Sequence, residues 1–182
     1  RRQRQMCIRD SGDPIEAHTD LVKKLDYECE LAVVLGKDAR DVPAGQTRDY
    51  IFGYTILNDV SARDVQTAHK QWYFGKSLDG FTPIGPCIVT ADAFADYPPR
   101  LGIRSFVNGE KRQDSNTALQ IFDIDHVIAE LSQGMTLKAG TIIATGTPAG
   151  VGMGMDPPQF LKPGDVVRCE IDGIGTLTNP VK

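Results

Sequence analysis

Two glutamates stand two positions apart inside the apolar stretch LDYECELAVVLG, residues 25–36. Side chains of a β-strand alternate between its two faces, so residues that are two positions apart share a face. A strand over residues 25–35 therefore predicts Asp26, Glu28 and Glu30 on one face and apolar side chains on the other. Any fold that this chain adopts has to accommodate these acids.

The residues that follow Glu30 indicate that the strand is buried on both sides, because LAVVLG is apolar at even and odd positions alike. Burying two carboxylates together raises their pKa values or requires a positive partner. A divalent cation meets that requirement, and carboxylate oxygens favour Mg²⁺, Mn²⁺ or Ca²⁺ over zinc. Asp59, at the end of the next apolar stretch, is the third ligand in this hypothesis.

Each of these acids also has an alternative interpretation. The face that carries Glu28 and Glu30 could point to solvent, where neighbouring carboxylates need no partner. Asp59 could be the N-cap of a helix that begins just after it, since aspartate is a favoured N-cap residue. Spacing alone leaves both alternatives open.

The rest of the chain predicts strands with few and short helices. The dipeptide Asn108-Gly109 is typical of a two-residue type I′ hairpin turn. No repeat or linker divides the chain, so we predict one α+β domain that is predominantly β. Further strand patterns cover residues 51–59, 83–90, 140–146 and 165–181. The strand over residues 140–146 is predicted to be buried, and residues 165–181 are predicted to form a pair of strands around Asp172-Gly173.

Two helices have recognisable start signals. Ser61, with Asp64 three positions later, resembles a capping box at the start of a short helix. The better pattern is an apolar stripe over residues 124–133, with Asp123 as N-cap and Gly134 just beyond the end.

The first eleven residues, RRQRQMCIRDS, carry four arginines and no strand or helix period. They lack the apolar region of a secretory signal. We interpret residues 1–11 as an extraneous or fragment-boundary tail, with a targeting remnant as the alternative. The predicted domain is residues 12–182.

Composition excludes several classes of protein. A formal net charge of −4, without a basic cluster in the body of the chain, argues against nucleic-acid binding. No apolar run approaches the roughly 18 residues of a membrane span. The four cysteines form no CxxC pair, which argues against zinc and favours a reducing compartment. We expect the cytoplasm, with a mitochondrial location as the alternative.

Four linked stretches resemble the fumarylacetoacetate hydrolase family. The resemblance runs in order from about residue 12 to residue 182. It implies the mixed β-roll of the family's C-terminal catalytic domain, usually a homodimer, and a bound Mg²⁺, Mn²⁺ or Ca²⁺ ion. The four stretches are DYECELAVVLGK, GYTILNDVSARDVQ, QWYFGKSLDGFTPIGP and IATGTPAGVG.

Carried over residue by residue, the resemblance implies metal ligands and substrate contacts at seven positions. Lys76 would also be catalytic, as a fixed positive charge beside a developing oxyanion. The implied metal ligands are Glu28, Glu30 and Asp59, and the implied substrate contacts are Arg63, Gln66, Lys76 and Thr147.

The substrate contacts have simple structural alternatives. Arg63 and Gln66 lie three apart on a helix and could hold a substrate carboxylate, although Arg63 could instead pair with a surface acid. Lys76 could be an ordinary loop lysine. Thr147 can offer a hydroxyl and a backbone N–H, but the glycines around it are not a phosphate loop, since no GKS or GKT follows.

Two aromatic residues lie close to Lys76 in the sequence. We predict that Trp72 and Phe74 serve packing and are not stacking platforms for a substrate.

The activity implied by the resemblance is metal-dependent hydrolysis of a C–C bond in a 1,3-dicarbonyl or 2-oxo acid, such as an acylpyruvate. The metal would stabilise an enolate as a Lewis acid. Isomerisation, tautomerisation or decarboxylation of a similar acid would share that chemistry. A non-catalytic β-rich module with a structural ion is the alternative from another class. The presence of Arg63, Gln66 and Lys76 favours the enzyme.

The family's hydrolases are implied to carry a His–Glu base on a lid segment upstream of the acidic strand. The residues before Leu25 include Glu16 and His18, but their composition predicts a loop and their spacing does not match a lid helix. His69 and His126 are predicted to be surface residues. We therefore expect the general base to lie upstream of this chain and the chain to be a fragment, with a complete but altered protein as the alternative.

Overall fold

The computed structural model describes residues 10–68 and 70–182. Most of the tail assigned to residues 1–11, and the position predicted for His69, lie outside these ranges. Asp10 and Ser11, the last two residues of that tail, hydrogen-bond to the C-terminal strand: Asn179 Nδ2 donates to the Asp10 carbonyl and Thr178 N–H donates to Ser11 Oγ.

The described residues form ten strands and three short helices, which confirms a predominantly β fold. The strands are β1 Leu25–Asp26, β2 Cys29–Leu35, β3 Ile51–Asn58, β4 Ser61–Ala62, β5 Ile84–Thr90, β6 Gly102–Val107, β7 Glu110–Asn116, β8 Ile142–Ala144, β9 Val166–Ile171 and β10 Gly175–Pro180. The helices are α1 Arg63–Ala68, α2 Tyr73–Lys76 and α3 Ile124–Leu131. No helix in the described part of the chain is long and apolar enough to span a membrane.

Two four-stranded sheets and one small ribbon organise these strands. One sheet has the order β10-β9-β6-β7, the other β5-β3-β2-β8, and β1 pairs with β4. The neighbouring strands are antiparallel, and a parallel bridge joins Ile15 to Val181. The core lies between the two large sheets, where β2 and β3 contact β6 and β9.

Strand β2 is the most deeply buried element of its sheet. All seven of its residues are buried, which confirms the expectation from its apolar run. Leu31 and the facing Ile56 of β3 are fully buried. Burial of a side chain of this size contributes roughly 1.5–3 kcal/mol. This apolar packing helps to offset the unfavourable burial of the acids at the start of the strand.

The predicted hairpin and the predicted helix over residues 124–133, which is α3, are confirmed. Asn108 and Gly109 both have positive φ, 52° and 84°, as a type I′ turn between β6 and β7 requires. Asp123 caps α3, because its Oδ1 accepts a hydrogen bond from His126 N–H at 2.8 Å. The helix ends at Leu131, two residues before the predicted end. His126 is exposed, as predicted.

The predicted capping box at Ser61 is wrong. Ser61 belongs to β4, and its hydroxyl donates to the Asp59 carbonyl at 2.9 Å. The Asp64 carboxylate instead accepts from the Lys23 N–H at 2.8 Å. Pairing with β1 therefore keeps Ser61 extended, and the helix begins only at Arg63.

Two burial predictions are also wrong. The strand expected over residues 140–146 is only three residues long and forms the edge of its sheet, so Ile142 is 39% exposed. The packing role predicted for Trp72 does not hold either, because Trp72 is 67% exposed, whereas Phe74, at 47% exposed, is half-buried. Both lie at α2, a single turn that leaves these side chains on the surface.

Candidate metal centre

The start of β2 and the end of β3 bring the three predicted metal ligands together. Cys29 pairs with Asn58 in the antiparallel register, so Glu28 and Asp59 become neighbours just beyond that pair. The Asp59 N–H donates to the Glu28 carbonyl at 2.9 Å. One carboxylate oxygen each from Glu28, Glu30 and Asp59 lie within 4.8 Å of one another. We call these three residues the acidic triad.

Two cations from the following helices contact the acidic triad. Lys76, the last residue of α2, donates from Nζ to Glu28 Oε2 at 2.8 Å and to Asp59 Oδ2 at 2.5 Å. Arg63, the first residue of α1, places Nη1 2.5 Å from Glu28 Oε1. Lys76 is therefore not an unattached loop lysine, and Arg63 pairs with buried acids and not with a surface acid.

Gln66 also lies at this site, on the same side of α1 as Arg63. Its Oε1 accepts from Arg63 Nη1 at 3.3 Å, and its side chain is buried. The spacing of three positions thus brings the two side chains together as predicted.

A fourth buried carboxylate, that of Asp26, supports Arg63. Its Oδ2 accepts from Arg63 Nε at 2.9 Å and from Met153 N–H at 3.0 Å, while its Oδ1 accepts from Gly152 N–H at 2.7 Å. Asp26 is completely buried. Sequence reasoning placed it on the acidic face but gave it no role, although the same alternation that revealed the glutamates pointed to it.

The charges of this group fit a divalent cation. Four carboxylates, those of Asp26 and the acidic triad, face two cations, Arg63 and Lys76. With all six groups ionised, the net charge is −2, which one divalent ion would neutralise. The donor atoms are hard oxygens of the kind that Mg²⁺, Mn²⁺ and Ca²⁺ bind. The acidic triad would hold the ion.

Two carboxyl groups of the acidic triad have raised pKa values. Burial raises the pKa of Glu30 to about 8, and the neighbouring Asp59 carboxylate adds to the shift. A hydrogen bond from the Gly146 N–H, at 2.7 Å, opposes it. Burial also raises the pKa of Asp59, against the effect of Lys76. Raised pKa values are typical of buried carboxyl groups that lack sufficient positive charge around them. A bound cation would lower the pKa values of Glu30 and Asp59.

Thr147, the seventh predicted residue, lies beside the triad in a different way from that expected. Its hydroxyl donates to the Cys29 carbonyl at 2.9 Å and accepts from Gln113 Nε2 at 2.8 Å. The hydroxyl therefore binds β2, which carries Glu30. Sequence reasoning missed Gln113, because the surrounding residues GEKRQDSN are polar and indicate an exposed strand.

His18 and His126, the two histidines that the structure describes, lie outside the acidic triad. The His18 ring bonds to the Asp79 carbonyl at 2.7 Å, with Nε2 4.0 Å from Glu16 Oε2, in a loop as predicted. The His126 ring stacks on Phe122. Neither has a hydrogen bond or ion pair with the acidic triad.

Comparison with known proteins agrees with the resemblance. The family model described as Fumarylacetoacetate (FAA) hydrolase C-terminal matches residues 3–182. The chain is 49% identical over 170 residues to the oxaloacetate tautomerase YisK of Bacillus subtilis strain 168. The aligned region covers 93% of this chain and 56% of that relative. The chain thus spans about half the length of the curated relatives it matches.

Solved structures give the same result for the fold. A fumarylacetoacetate hydrolase from psychrophilic Exiguobacterium antarcticum is 52% identical, with a TM-score of 0.94 over 97% of this chain and 63% of that chain. A 2-hydroxyhepta-2,4-diene-1,7-dioate isomerase from Mycobacterium marinum is 43% identical, with a TM-score of 0.85 over 96% of this chain and 65% of that chain. The chain therefore belongs to the fumarylacetoacetate hydrolase family and has the fold of its C-terminal domain.

Proposed function

We propose that this chain is the catalytic part of a divalent-metal-dependent enzyme that forms the enolate of a 2-oxo or 1,3-dicarbonyl acid. The observation that carries the proposal is the acidic triad, with carboxylate oxygens within 4.8 Å of one another and Lys76 on two of its members. Mg²⁺ is the proposed ion, with Mn²⁺ or Ca²⁺ as alternatives. When bound, it would supply a Lewis acid that stabilises enolate charge.

The first candidate reaction is tautomerisation or isomerisation of a 2-oxo acid. Two relatives support it: the Bacillus subtilis protein is named an oxaloacetate tautomerase, and the Mycobacterium marinum protein is named an isomerase. Hydrolysis of a C–C bond, the reaction ranked first from the sequence, is the second candidate. It is supported by the Exiguobacterium protein, which is named a hydrolase and is 52% identical to this chain.

The chain's own residues divide the work as follows. Lys76 would place a positive charge beside the oxygen on which negative charge develops. Arg63 has Nε on Asp26 and Nη1 on Glu28, so its main task is to hold Glu28 in place. Gln66 Nε2, which donates to no described residue, would bind the substrate carboxylate.

These contacts also separate the enzyme from a module with a structural ion. A site for a structural ion requires only the acidic triad. In this chain Lys76 also pairs with two members of the triad, Glu28 and Asp59, while 18% of the Lys76 side chain is exposed. A positive group that is partly open to solvent at the triad can meet a substrate.

An activity assay of Lys76→Met tests the proposal. The measurement is the decay of enol absorbance of oxaloacetate, with added Mg²⁺ and after chelation with EDTA. We expect chelation to abolish turnover and Lys76→Met to lower kcat by about 100-fold, the scale typical of one electrostatic donor. Lys138→Met is the matched control, because Lys138 pairs with Asp38 on the surface. Wild-type turnover in Lys76→Met would remove this residue from the mechanism.

A second assay, on the same protein, distinguishes the two candidate reactions. Pyruvate release from acetylpyruvate reports C–C hydrolysis under the conditions of the tautomerase assay. Release of pyruvate at a higher kcat/KM than tautomerisation would replace the first candidate by the second. Absence of both activities in the full-length protein, with Mg²⁺ bound, would favour the structural-ion module.

We also propose a homodimer and a cytoplasmic location. The apolar side chains of Leu119, Ile121 and Phe122 are 75%, 93% and 60% exposed, close together in the chain. Exposed apolar groups of this kind favour an interface. Sedimentation of the wild-type chain beside Ile121→Asp tests the dimer: we expect the substitution to yield monomers, and a monomeric wild type would refute it.

A further inference from the structure

Beyond the last register pair of β8 with β2, Ala32–Ala144, one backbone hydrogen bond, from Thr145 N–H to the Leu31 carbonyl at 3.2 Å, and two threonine hydroxyls continue the attachment. Thr145 Oγ1 donates to the Leu31 carbonyl at 2.8 Å, and Thr147 Oγ1 donates to the Cys29 carbonyl at 2.9 Å. Gly146 between them directs its N–H to Glu30 Oε2. Residues 145–147, which we call the TGT segment, are thus attached to β2 largely by side chains.

One buried side chain completes the attachment at residue 147. Gln113 is fully buried, and its Oε1 accepts from the Cys29 N–H at 3.1 Å. Its Nε2 donates to Thr147 Oγ1 at 2.8 Å and to the Pro148 carbonyl at 2.7 Å. Gln113 therefore joins the residue between the two glutamates to the TGT segment in a closed ring of hydrogen bonds.

The ring determines which group of Thr147 remains for a ligand. A hydroxyl has a single proton, and here that proton is donated to the Cys29 carbonyl. The Thr147 backbone N–H, in contrast, donates to no described residue. A carboxylate or oxo oxygen at this position would therefore find a backbone donor and not a hydroxyl.

We propose that Gln113 is a positioning residue of the site: through the Thr147 hydroxyl, it fixes the TGT segment so that the Thr147 N–H is presented to an anionic substrate. The inference rests on the proposed function, since it takes Thr147 as a substrate contact. Gln113 does not touch the substrate, because it is completely buried.

The chain offers a matched control in Gln120. Its Nε2 donates to Thr145 Oγ1 at 2.8 Å, and that hydroxyl in turn donates to Leu31. The bond is of the same kind and lies in the same segment, but it is two residues away from the Thr147 N–H. Loss of this amide should affect the TGT segment without releasing residue 147.

Calorimetric titration separates the two effects. Mg²⁺ is titrated into wild type, Gln113→Met and Gln120→Met, followed by oxalate, a small dianion, into each Mg²⁺-saturated protein. We expect Gln113→Met to raise the oxalate Kd about tenfold, as for loss of one well-placed hydrogen bond, and to leave the Mg²⁺ Kd unchanged. Gln120→Met should leave both constants unchanged.

A double-mutant cycle adds a second criterion. Thr147→Val removes the hydroxyl that Gln113 holds, so it should raise the oxalate Kd by itself. Combined with Gln113→Met, it should add little, because both substitutions break the same ring. Full additivity would overturn the proposal, as would an unchanged oxalate Kd in Gln113→Met or equal losses in both glutamine variants.

Amide hydrogen exchange of the wild-type chain keeps the proposal testable if Gln113→Met fails to fold. We expect fast exchange at the Thr147 N–H and slow exchange at the Gln113 side-chain amide in the free protein, with protection of Thr147 once Mg²⁺ and oxalate are added. The reverse pattern in the free protein would overturn the proposal. A wild-type chain that binds no Mg²⁺ would refute the proposed function instead, and the free-protein pattern would still decide the role of Gln113.

Discussion

Two clusters of charged side chains in this protein contain similar groups but lie in opposite environments. The buried one consists of the acidic triad with Asp26, Arg63 and Lys76. The exposed one lies on the β6–β7–β9 side and joins Arg104 to Asp114 and Asp172, with Lys111 beside Asp114. In the exposed cluster, hydrogen bonds from Arg104 and Lys111 hold the pKa values of Asp172 and Asp114 below their usual range.

The pKa shifts in the buried cluster run the other way. Glu30 and Asp59 have raised pKa values, although Lys76 donates directly to Asp59. Cations are present in both clusters, so the difference comes from the loss of solvent around the buried carboxylates. A surface network satisfies its charges with water and local partners. The buried network needs one more positive charge, which is the physical reason to expect an ion there.

The largest expected effect is that of Asp26→Asn against Asp172→Asn. Each aspartate accepts from one arginine and from at least one backbone N–H group, but Asp26 is fully buried and Asp172 is exposed. Asp26→Asn removes one of the two buried carboxylates that pair with Arg63, and breaking a buried ion pair typically costs about 3–5 kcal/mol. Urea denaturation measures this loss. A loss in Asp26→Asn that is no larger than that in Asp172→Asn would remove the distinction between the clusters.

The second effect is a pH dependence that comes from Glu30. Its pKa in the folded protein, about 8, lies above its usual value of 4.5, so between these pH values the folded state retains a proton that the unfolded chain has released. Raising the pH across this window should therefore lower the stability of the metal-free protein, by about 3 kcal/mol relative to Glu30→Gln. Denaturant midpoints of both proteins from pH 5 to pH 8 check the sign, and parallel profiles would contradict it.

The third effect is stabilisation by metal. A ligand that binds only the folded state at 100 times its Kd stabilises by about 2.7 kcal/mol. We expect Mg²⁺ or Mn²⁺ to raise the thermal midpoint of the wild type and to leave that of Glu30→Gln nearly unchanged. Asp172→Asn is the control and should respond like the wild type. Thermal midpoints of the wild type that stay constant over a wide range of Mg²⁺ and Mn²⁺ concentrations would count against the metal site.

The smallest effect belongs to the exposed cluster. Exposed ion pairs contribute little, so Asp172→Asn should shift the thermal midpoint by no more than about 2 °C. The shift should shrink further in 1 M salt, where charges at the surface are screened. Calorimetric scans at low and high salt measure both. A large, salt-independent shift would mean that this cluster also supports the fold.

The two clusters also differ in how far the sequence predicted them. The acidic triad was predictable only in part. Alternation puts Glu28 and Glu30 on one face, but spacing alone left a solvent-facing strand open, and the antiparallel register of β2 and β3 that brings Asp59 beside them is a tertiary pairing. The contacts of Lys76 depended on the family resemblance. Gln113 was not predictable, since its partners Cys29 and Thr147 are 84 and 34 positions away in the chain.

Two of the wrong predictions, those at Ser61 and at residues 140–146, share one physical cause. Ser61 has the local signature of a helix cap, yet pairing of β4 with β1 holds it in a strand. The apolar run at residues 140–146 predicts a buried strand, yet β8 is an edge strand with one buried residue. In both places, pairing with a distant part of the chain, which local patterns do not contain, decides the outcome.

The exposure of Trp72 gives this protein a built-in optical probe. Trp72 is the single tryptophan of the chain, and it directly precedes α2, whose last residue is Lys76. Its indole is 67% exposed, so its fluorescence responds to changes at the protein surface. Lys76, which pairs with two members of the acidic triad, stands four positions after this fluorophore on the same helical turn. We therefore expect occupation of the site to change the Trp72 emission, and a titration of the unlabelled protein measures that change.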